Sequence, residues 1–167
     1  MGLEVRIRDL EKEDVDGMLS WVNDEEVTCR FAKFNHKVTR EEEEAYVGRM
    51  MSSETDKVFT IEADGNYAGN VALHEMDDGK ARLALIIPKP YWGKGCGTQA
   101  VKQALCWAFS NDIEKVYLKV IDTNAKARHV YGKCGFRETK FLPGHYECKG
   151  KFYNMIQMEI TKQGGTK

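Results

Sequence analysis

The sequence has no long apolar run, no excess of charge of either sign and no recognisable set of metal ligands. Its longest apolar stretches fall far short of the roughly 18 residues that cross a bilayer, and residues 1–10 alternate charged and apolar side chains. The 25 basic and 26 acidic residues give a net charge of −1, so no strongly basic surface predicts binding to nucleic acid or to an anionic membrane. We therefore expect a cytoplasmic protein with neither of these partners.

Cysteine is present without the spacing that gives it a structural role. The five cysteines are an odd number, no two form a C-x-x-C pair, and the four histidines are scattered. This pattern argues against a disulfide framework or a zinc site as the organising feature. We expect reduced thiols and no metal.

The 167 residues and a hydrophobic content of 42% predict one globular domain. We expect it to cover 1–163 and to leave 164–167 as a disordered tail. Alternation with period two and the positions of turn residues predict strands at 4–8, 58–63, 67–76, 81–87, 115–121, 136–141 and 152–160. Apolar stripes with helical spacing predict helices at about 15–22, 40–52, 98–110 and 124–133.

A glycine-rich loop follows the strand that contains Leu85, Ile86 and Ile87. It carries Gly93, Gly95 and Gly97 and leads into a helix at Thr98. A helix N-terminus has unpaired N–H groups and partial positive charge, so a loop of this kind predicts an anion site to which Lys94 adds a cation. Neither the Walker pattern nor the dinucleotide pattern G-x-G-x-x-G is present. A tight turn that binds nothing is the alternative for this segment taken alone.

A second motif supports the interpretation of the glycine-rich loop as a binding site. The segment from Asn124 to Phe136 reads N-x-x-A-x-x-x-Y-x-K-x-G-F, and the loop reads W-x-x-G-x-G from Trp92. In this order the two motifs resemble the GNAT superfamily of N-acetyltransferases over nearly the whole chain. Trp92 replaces the usual Gln or Arg, as in the branch of ribosomal-protein alanine acetyltransferases. The closing G-x-x-Y-N-x-I-x-M from Gly150 resembles the spermidine and diamine branch.

The resemblance implies a three-layer α/β (α+β) fold with a mixed, mostly antiparallel sheet of about seven strands and helices on both faces. It also implies direct transfer of acetyl from acetyl-CoA to a primary amine in a ternary complex, without a metal. A polyamine or diamine is the favoured acceptor, and an amino sugar, an antibiotic or a protein N-terminus are the others. Relatives lead us to expect a homodimer. The alternatives of another kind are a CoA-binding module without catalysis and, disfavoured by the glycine spacing, a Rossmann-type nucleotide-binding protein.

The resemblance also assigns roles to residues. Tyr131 is expected to protonate the leaving thiolate, and Asn124 either bonds the pantetheine arm or caps its helix. Contacts to the cosubstrate are expected from Leu85, Ile86, Ile87, Trp92, Gly93, Lys94, Gly95, Cys96, Gly97, Thr98, Asn124, Tyr131 and Lys133.

The general base is the least determined part of the predicted site. Many relatives carry a glutamate on the strand before the glycine loop, where this chain has Arg82. The neighbouring strand offers Glu75, which we predict as the second catalytic residue, and His74. Strand alternation predicts that these two side chains face opposite sides of the sheet. A chain of waters is the remaining alternative.

Overall fold

The computed structural model describes residues 2–28 and 37–162. Its strands are β1 Val5–Asp9, β2 Lys57–Ala63, β3 Asn66–Asp77, β4 Lys80–Ile86, β5 Lys115–Ile121, β6 Arg137–Cys148 and β7 Lys151–Thr161. Its α-helices are α1 Val15–Val22, α2 Glu25–Thr28, α3 Arg40–Ser52, α4 Cys96–Phe109 and α5 Ala125–Lys133. Short 3-10 turns precede α1 and α4 at Lys12–Asp14 and Lys89–Tyr91.

All seven strands belong to one sheet in the order β1-β2-β3-β4-β5-β7-β6. Every neighbouring pair is antiparallel except β4 and β5, which are parallel. The predicted mixed, mostly antiparallel sheet of about seven strands is therefore confirmed.

The sheet separates two apolar layers. One buried cluster joins inward side chains such as Val71, Leu83 and Leu118 to Ala100 of α4 and Tyr131 of α5. The other lies on the opposite face; its members include Met18 of α1, Val47 of α3 and Ala72 of β3. Helices thus cover both faces, and we refer to them as the α4/α5 face and the α1/α3 face.

The parallel pair β4 and β5 separates after only three paired positions. Lys80 pairs with Lys115, Ala81 with Val116, and Arg82 with Tyr117. From residue 83 onward β4 keeps its pairing with β3 on one edge, while its other edge has no partner strand among residues 2–28 and 37–162. We call the resulting gap between 83–86 and 118–121 the fork.

Two details of the chain path differ from the sequence-based expectations. Strand β6 runs on through Pro143 and Gly144 to Cys148, although the predicted strand ended at residue 141. A register shift between Leu142 and Tyr146 absorbs the two residues, and the Gly144 N–H donates to Asn154 Oδ1 at 2.9 Å. Helix α4 begins two residues earlier than predicted, at Cys96. The predicted tail at 164–167 lies outside the described residues, and the extent of the domain, 1–163, stays a prediction.

Candidate active site

The fork exposes an apolar strand end. Leu85 and Ile86 at the end of β4, and Ile87 just beyond it, are only half-buried. Gly69 of β3 lies so close that a Cβ on it would stand 2.1 Å from the Ile86 carbonyl oxygen. This close approach holds the end of β4 against β3, and on its other edge the pairing with β5 has already ended at Arg82. An extended chain entering the fork would find backbone groups to pair with.

The glycine loop lies where β4 leads into α4. Gly93 and Gly95 have φ values of +74° and +82°, which glycine adopts without the steric cost other residues bear. Gly95 is the N-cap of α4 and has no side chain to satisfy the N–H groups that begin the helix. Lys94 is exposed beside them. The loop therefore offers free N–H donors, a helix dipole and a cation to an anionic group.

Close packing brings the loop and the second motif together. A Cβ on Gly97 would lie 3.2 Å from Leu85 Cδ2 and 3.8 Å from Val130 of α5. The thiol of Cys134 lies 3.6 Å from the Thr98 carbonyl oxygen. The N-terminus of α4 thus packs against both β4 and α5. The two sequence motifs therefore lie together on the α4/α5 face of the sheet, next to the fork.

Trp92 connects the glycine-rich loop to the end of β4, a role that the sequence motif did not predict. Its indole Nε1 donates to the Ile87 carbonyl oxygen at 2.6 Å, and 40% of the residue is exposed. The bond ties the loop back to the end of the strand, and the exposed indole face borders the site.

Asn124 performs one of the two roles considered for it. Its Oδ1 accepts from the Ala127 N–H at 3.2 Å and so caps α5. Lys133, at the other end of α5, is exposed. The cap fixes the start of the helix that carries Tyr131.

Tyr131 lies in the buried cluster on the α4/α5 face together with Leu83 and Leu118, the residues that follow the last pairing of β4 with β5. Its ring packs edge-on against Phe136 at 5.8 Å between centroids. Burial raises the pKa of its phenol, so the group keeps its proton at neutral pH. A neutral phenol beside the fork can donate a proton to a leaving thiolate.

Cys96 does not have the environment of a nucleophile. It is 1% exposed, and burial raises the pKa of its thiol despite the nearby Lys94 charge. The thiolate is therefore scarce. A compact residue that lets the helix begin close to the sheet is the role that fits.

The α1/α3 face carries a polar cluster at the closed end of the fork. Glu75 lies in a bulge of β3 with φ +55°. One carboxylate oxygen accepts from Arg82 at 3.2 Å and the other from the Tyr117 hydroxyl at 3.3 Å. Because Arg82 and Tyr117 are the last paired residues of β4 and β5, the Glu75 carboxylate spans the closed end of the fork.

The prediction that His74 and Glu75 face opposite sides was wrong. His74 pairs with Arg82 across β3 and β4, and directly paired residues share a face. Glu75 bonds Arg82 and Tyr117 on that same face, because the bulge interrupts strand alternation after His74. Both side chains are therefore on the α1/α3 face, opposite Tyr131.

Sequence reasoning missed Asp56, which precedes β2. Its Oδ1 lies 2.8 Å from His74 Nδ1 and accepts from the Glu75 N–H at 3.2 Å. Asp56 and His74 are 18 positions apart in the chain, so no local sequence pattern predicts their contact.

A cavity of about 340 Å³ on the α1/α3 face was also not predicted. The indole of Trp21 donates to the Tyr67 hydroxyl at 2.9 Å within its wall. Its other lining residues include Asp24, Pro88, Lys89 and Tyr91. Trp21 lies in α1 and Tyr67 in β3, 46 positions apart in the chain, so no local sequence pattern predicts that their side chains meet.

Comparison with known proteins identifies the class. The acetyltransferase (GNAT) domain family matches residues 4–137, and the chain belongs to that family. It is an N-acetyltransferase that uses acetyl-CoA as its cosubstrate.

Within this family, the chain is similar to spermidine acetyltransferases in sequence and in structure. Spermidine N(1)-acetyltransferase of Escherichia coli K12 is 31% identical over 159 residues, which cover 93% of this chain and 85% of that protein. The crystal structure of spermidine N-acetyltransferase from Vibrio cholerae in complex with CoA and spermine superposes with a TM-score of 0.88 at 25% identity, covering 94% and 95% of the two chains. A ribosomal L7/L12 alpha-N-protein acetyltransferase in complex with CoA shares the fold, with a TM-score of 0.86 at 13% identity.

The described residues contain neither a cluster of metal ligands nor a helix that could cross a membrane. Across 2–28 and 37–162, no three His, Cys, Asp or Glu side chains are grouped as metal ligands. None of the helices in that part of the chain is long and apolar enough to span a membrane.

Proposed function

We propose that this enzyme acetylates a primary amine of a polyamine or diamine. The observation that carries the proposal is the anionic character of the α1/α3 face at the fork, where the Glu75 carboxylate spans the last paired residues. The relationship to spermidine acetyltransferases over most of the chain supports the same acceptor class.

Two further carboxylates support a cationic acceptor. Asp56 lies next to Glu75, and Glu43 of α3 is 5% exposed. Burial, together with the charges of Glu43 and Asp56, raises the pKa of Tyr46 to about 12, so both carboxylates lie near the Tyr46 phenol. Helix α3 therefore adds a carboxylate to the acidic region on this face. Ammonium groups are attracted to such a region, and aromatic walls suit alkylammonium chains.

The fork and loop would hold acetyl-CoA. Leu85, Ile86 and Ile87 offer their open backbone edge to the pantetheine arm. Gly93, Lys94, Gly95, Cys96, Gly97 and Thr98 offer N–H groups and charge to the pyrophosphate, and Trp92, Asn124, Tyr131 and Lys133 border the same path.

In this arrangement Tyr131 donates its proton to the departing sulfur from the α4/α5 face. Glu75 acts from the other face as the carboxylate that attracts and orients the acceptor ammonium. Arg82 occupies the position of the glutamate found in many relatives, and its ion pair with Glu75 places a carboxylate there from the neighbouring strand.

The test is release of CoA thiol from acetyl-CoA across a panel of amines: spermidine, spermine, putrescine, aminoglycosides, amino-sugar nucleotides and short peptides with free N-termini. We expect turnover with the polyamines at a kcat/KM well above that of the other classes. Turnover confined to an amino sugar, an antibiotic or a peptide would overturn the proposed acceptor. Binding of acetyl-CoA without turnover on any amine would instead identify a module that has lost catalysis.

We also propose a cytoplasmic location, because the five cysteines are an odd number without C-x-x-C spacing and therefore predict reduced thiols. A homodimer is the proposed oligomeric state, and sedimentation velocity measures it directly. A monomer at micromolar concentration would contradict it.

A further inference from the structure

The polar cluster on the α1/α3 face contains an imidazole held by a carboxylate. His74 Nδ1 lies 2.8 Å from Asp56 Oδ1, and the two side chains are 17% and 21% exposed. Asp56 is itself fixed, because its Oδ2 accepts from the Thr55 hydroxyl at 2.9 Å and from the Ser53 hydroxyl at 3.2 Å. Both carboxylate oxygens therefore have donors.

This environment keeps Asp56 ionised. Partial burial opposes ionisation, but the hydrogen bonds from His74, Thr55 and the Glu75 N–H hold the pKa of Asp56 below its ordinary value. An ionised acceptor beside Nδ1 fixes the ring proton on that nitrogen. The Nε2 of His74 then carries the free lone pair, as in other sites where a carboxylate orients a basic imidazole.

His74 is placed within reach of the reacting amine. It pairs directly with Arg82, whose strand forms one side of the fork. Neighbouring strands lie about 4.8 Å apart and the fork lies beyond β4, so an amine there is roughly one and a half strand spacings, about 7 Å, from the His74 backbone. The imidazole together with one bridging water spans that distance. Tyr131 lies on the other face, so the two groups do not compete for the same position.

Glu75 is the less suitable proton acceptor although it lies closer to the fork. The hydrogen bond from Arg82 is the main reason that its pKa is lowered, and the Arg82 charge and the Tyr117 hydroxyl lower it further. A carboxylate stabilised in this way binds a proton weakly. It remains suited to attracting an ammonium group.

We propose that His74 is the general base of acetyl transfer and that Asp56 is its positioning residue; this rests on the proposed function of the same site. The Nε2 of His74 takes a proton from the acceptor ammonium, and the freed nitrogen lone pair forms the C–N bond at the thioester carbonyl carbon. The C–S bond breaks with its electron pair on sulfur, which takes the Tyr131 proton. The new amide nitrogen loses its second proton to solvent, His74 releases to solvent the proton it took, and Tyr131 regains one proton from solvent. One proton is therefore released in total.

The charge of His74 has to be considered with every group that faces it. These groups are Asp56 before β2, Glu75 on its own strand, Arg82 on β4, Tyr117 on β5 and Tyr46 on α3. A base must be unprotonated, so activity is lost as the pH falls and the imidazole gains its proton. The acceptor ammonium itself titrates near pH 10, far above this acidic limb.

The experiment is the pH dependence of kcat/KM between pH 5.5 and 9.5, measured with whichever amine the panel shows to be the best acceptor. The wild type is compared with His74→Gln, Asp56→Asn and Glu75→Gln. His129→Gln is the matched control, because His129 is exposed on α5. Acetyl-CoA affinity by calorimetry and the thermal midpoint show whether each variant is folded.

We expect His74→Gln to lower kcat/KM by about 100-fold or more and to abolish the acidic limb. Asp56→Asn should move that limb to lower pH, because loss of a neighbouring carboxylate disfavours the imidazolium. Glu75→Gln should keep the limb in place whatever its rate. Added imidazole should restore at least about tenfold to a His74→Ala variant, which loss of packing alone would not allow.

The proposal is overturned if His74→Gln keeps turnover within threefold of the wild type with its acidic limb intact. It is equally overturned if the limb disappears in Glu75→Gln and stays in His74→Gln, which would make Glu75 the base. If His74→Gln does not fold, Asp56→Asn decides, and an unmoved limb there contradicts the proposal. None of these outcomes depends on the acceptor being a polyamine, so failure of the proposed substrate is seen separately in the panel.

Discussion

Replacing Tyr131 with phenylalanine removes one oxygen atom at the fork and little else. Within the described residues the hydroxyl has no hydrogen-bond partner, and the ring is held by apolar packing and by its edge-on contact with Phe136. The change therefore breaks no contact that the described structure depends on. A substitution of this kind typically alters the free energy of unfolding by less than about 0.5 kcal/mol, or about 2 °C in Tm for a chain of this size.

The expected effect on catalysis is much larger. A positioned general acid contributes about 10²–10⁴-fold, which corresponds to about 2.7–5.4 kcal/mol in the activation barrier. Initial rates of thiol release should fall by that factor, while the acetyl-CoA Kd stays within about twofold because the phenol is not needed for binding. Tyr153→Phe is the matched control, since it removes the same oxygen from a half-buried ring that packs against Tyr146.

The pH dependence provides a second test of Tyr131. Its pKa is raised by burial, and an acid is lost only as the pH rises through that raised value. The wild type should therefore show no basic limb from this group below about pH 10. Turnover of Tyr131→Phe within threefold of the wild type would refute the assigned role. A basic limb near pH 8 that vanishes in the variant would refute the argument from burial.

Three further predictions concern the elements around the fork. Gly69→Ala should destabilise the protein by at least about 2 kcal/mol in urea unfolding, because its Cβ would stand 2.1 Å from the Ile86 carbonyl oxygen at a φ of +123°; an unchanged midpoint would contradict the close approach. Trp92→Phe removes the 2.6 Å bond that ties the loop to the strand end, so the acetyl-CoA KM should rise about fivefold with kcat nearly unchanged. A loss confined to kcat would argue against that role. Glu75→Gln should raise the KM for spermidine about tenfold and that for a monoamine less, as steady-state kinetics on both amines will show.

The cosubstrate side of the site was predictable because its signals are local. A glycine at positive φ, a helix N-terminus and an asparagine cap are each specified by residues close together in the chain. Gly95 therefore lies at the start of α4 and Asn124 caps α5, while the contacts of these residues and of Tyr131 with the cosubstrate stay predictions. The resemblance to a family supplied what the residues alone left open, namely that the anion is a coenzyme.

The acceptor side was less predictable because it depends on register. One extra residue in β3 turns Glu75 to the face of His74, and strand alternation read from the sequence places it on the other. Asp56 becomes relevant only when the chain before β2 meets the end of β3. The length of β6 was predicted too short for a similar reason. A register shift accommodates Pro143 and Gly144 within the strand, and Asn154 of β7 accepts a hydrogen bond from the Gly144 N–H.

The arrangement gives a physical reason for a sheet that splits. Acetyl transfer needs a proton acceptor on the attacking nitrogen and a proton donor on the departing sulfur, and two such groups in contact would neutralise each other. In the proposed mechanism the sheet separates them: Tyr131 is buried among apolar side chains on one face, and His74 lies with Asp56 on the other. A thioester in the fork is reached from both faces, because β4 and β5 stop pairing at Arg82 and Tyr117. The early end of that pairing is therefore the feature of the fold on which the proposed mechanism depends.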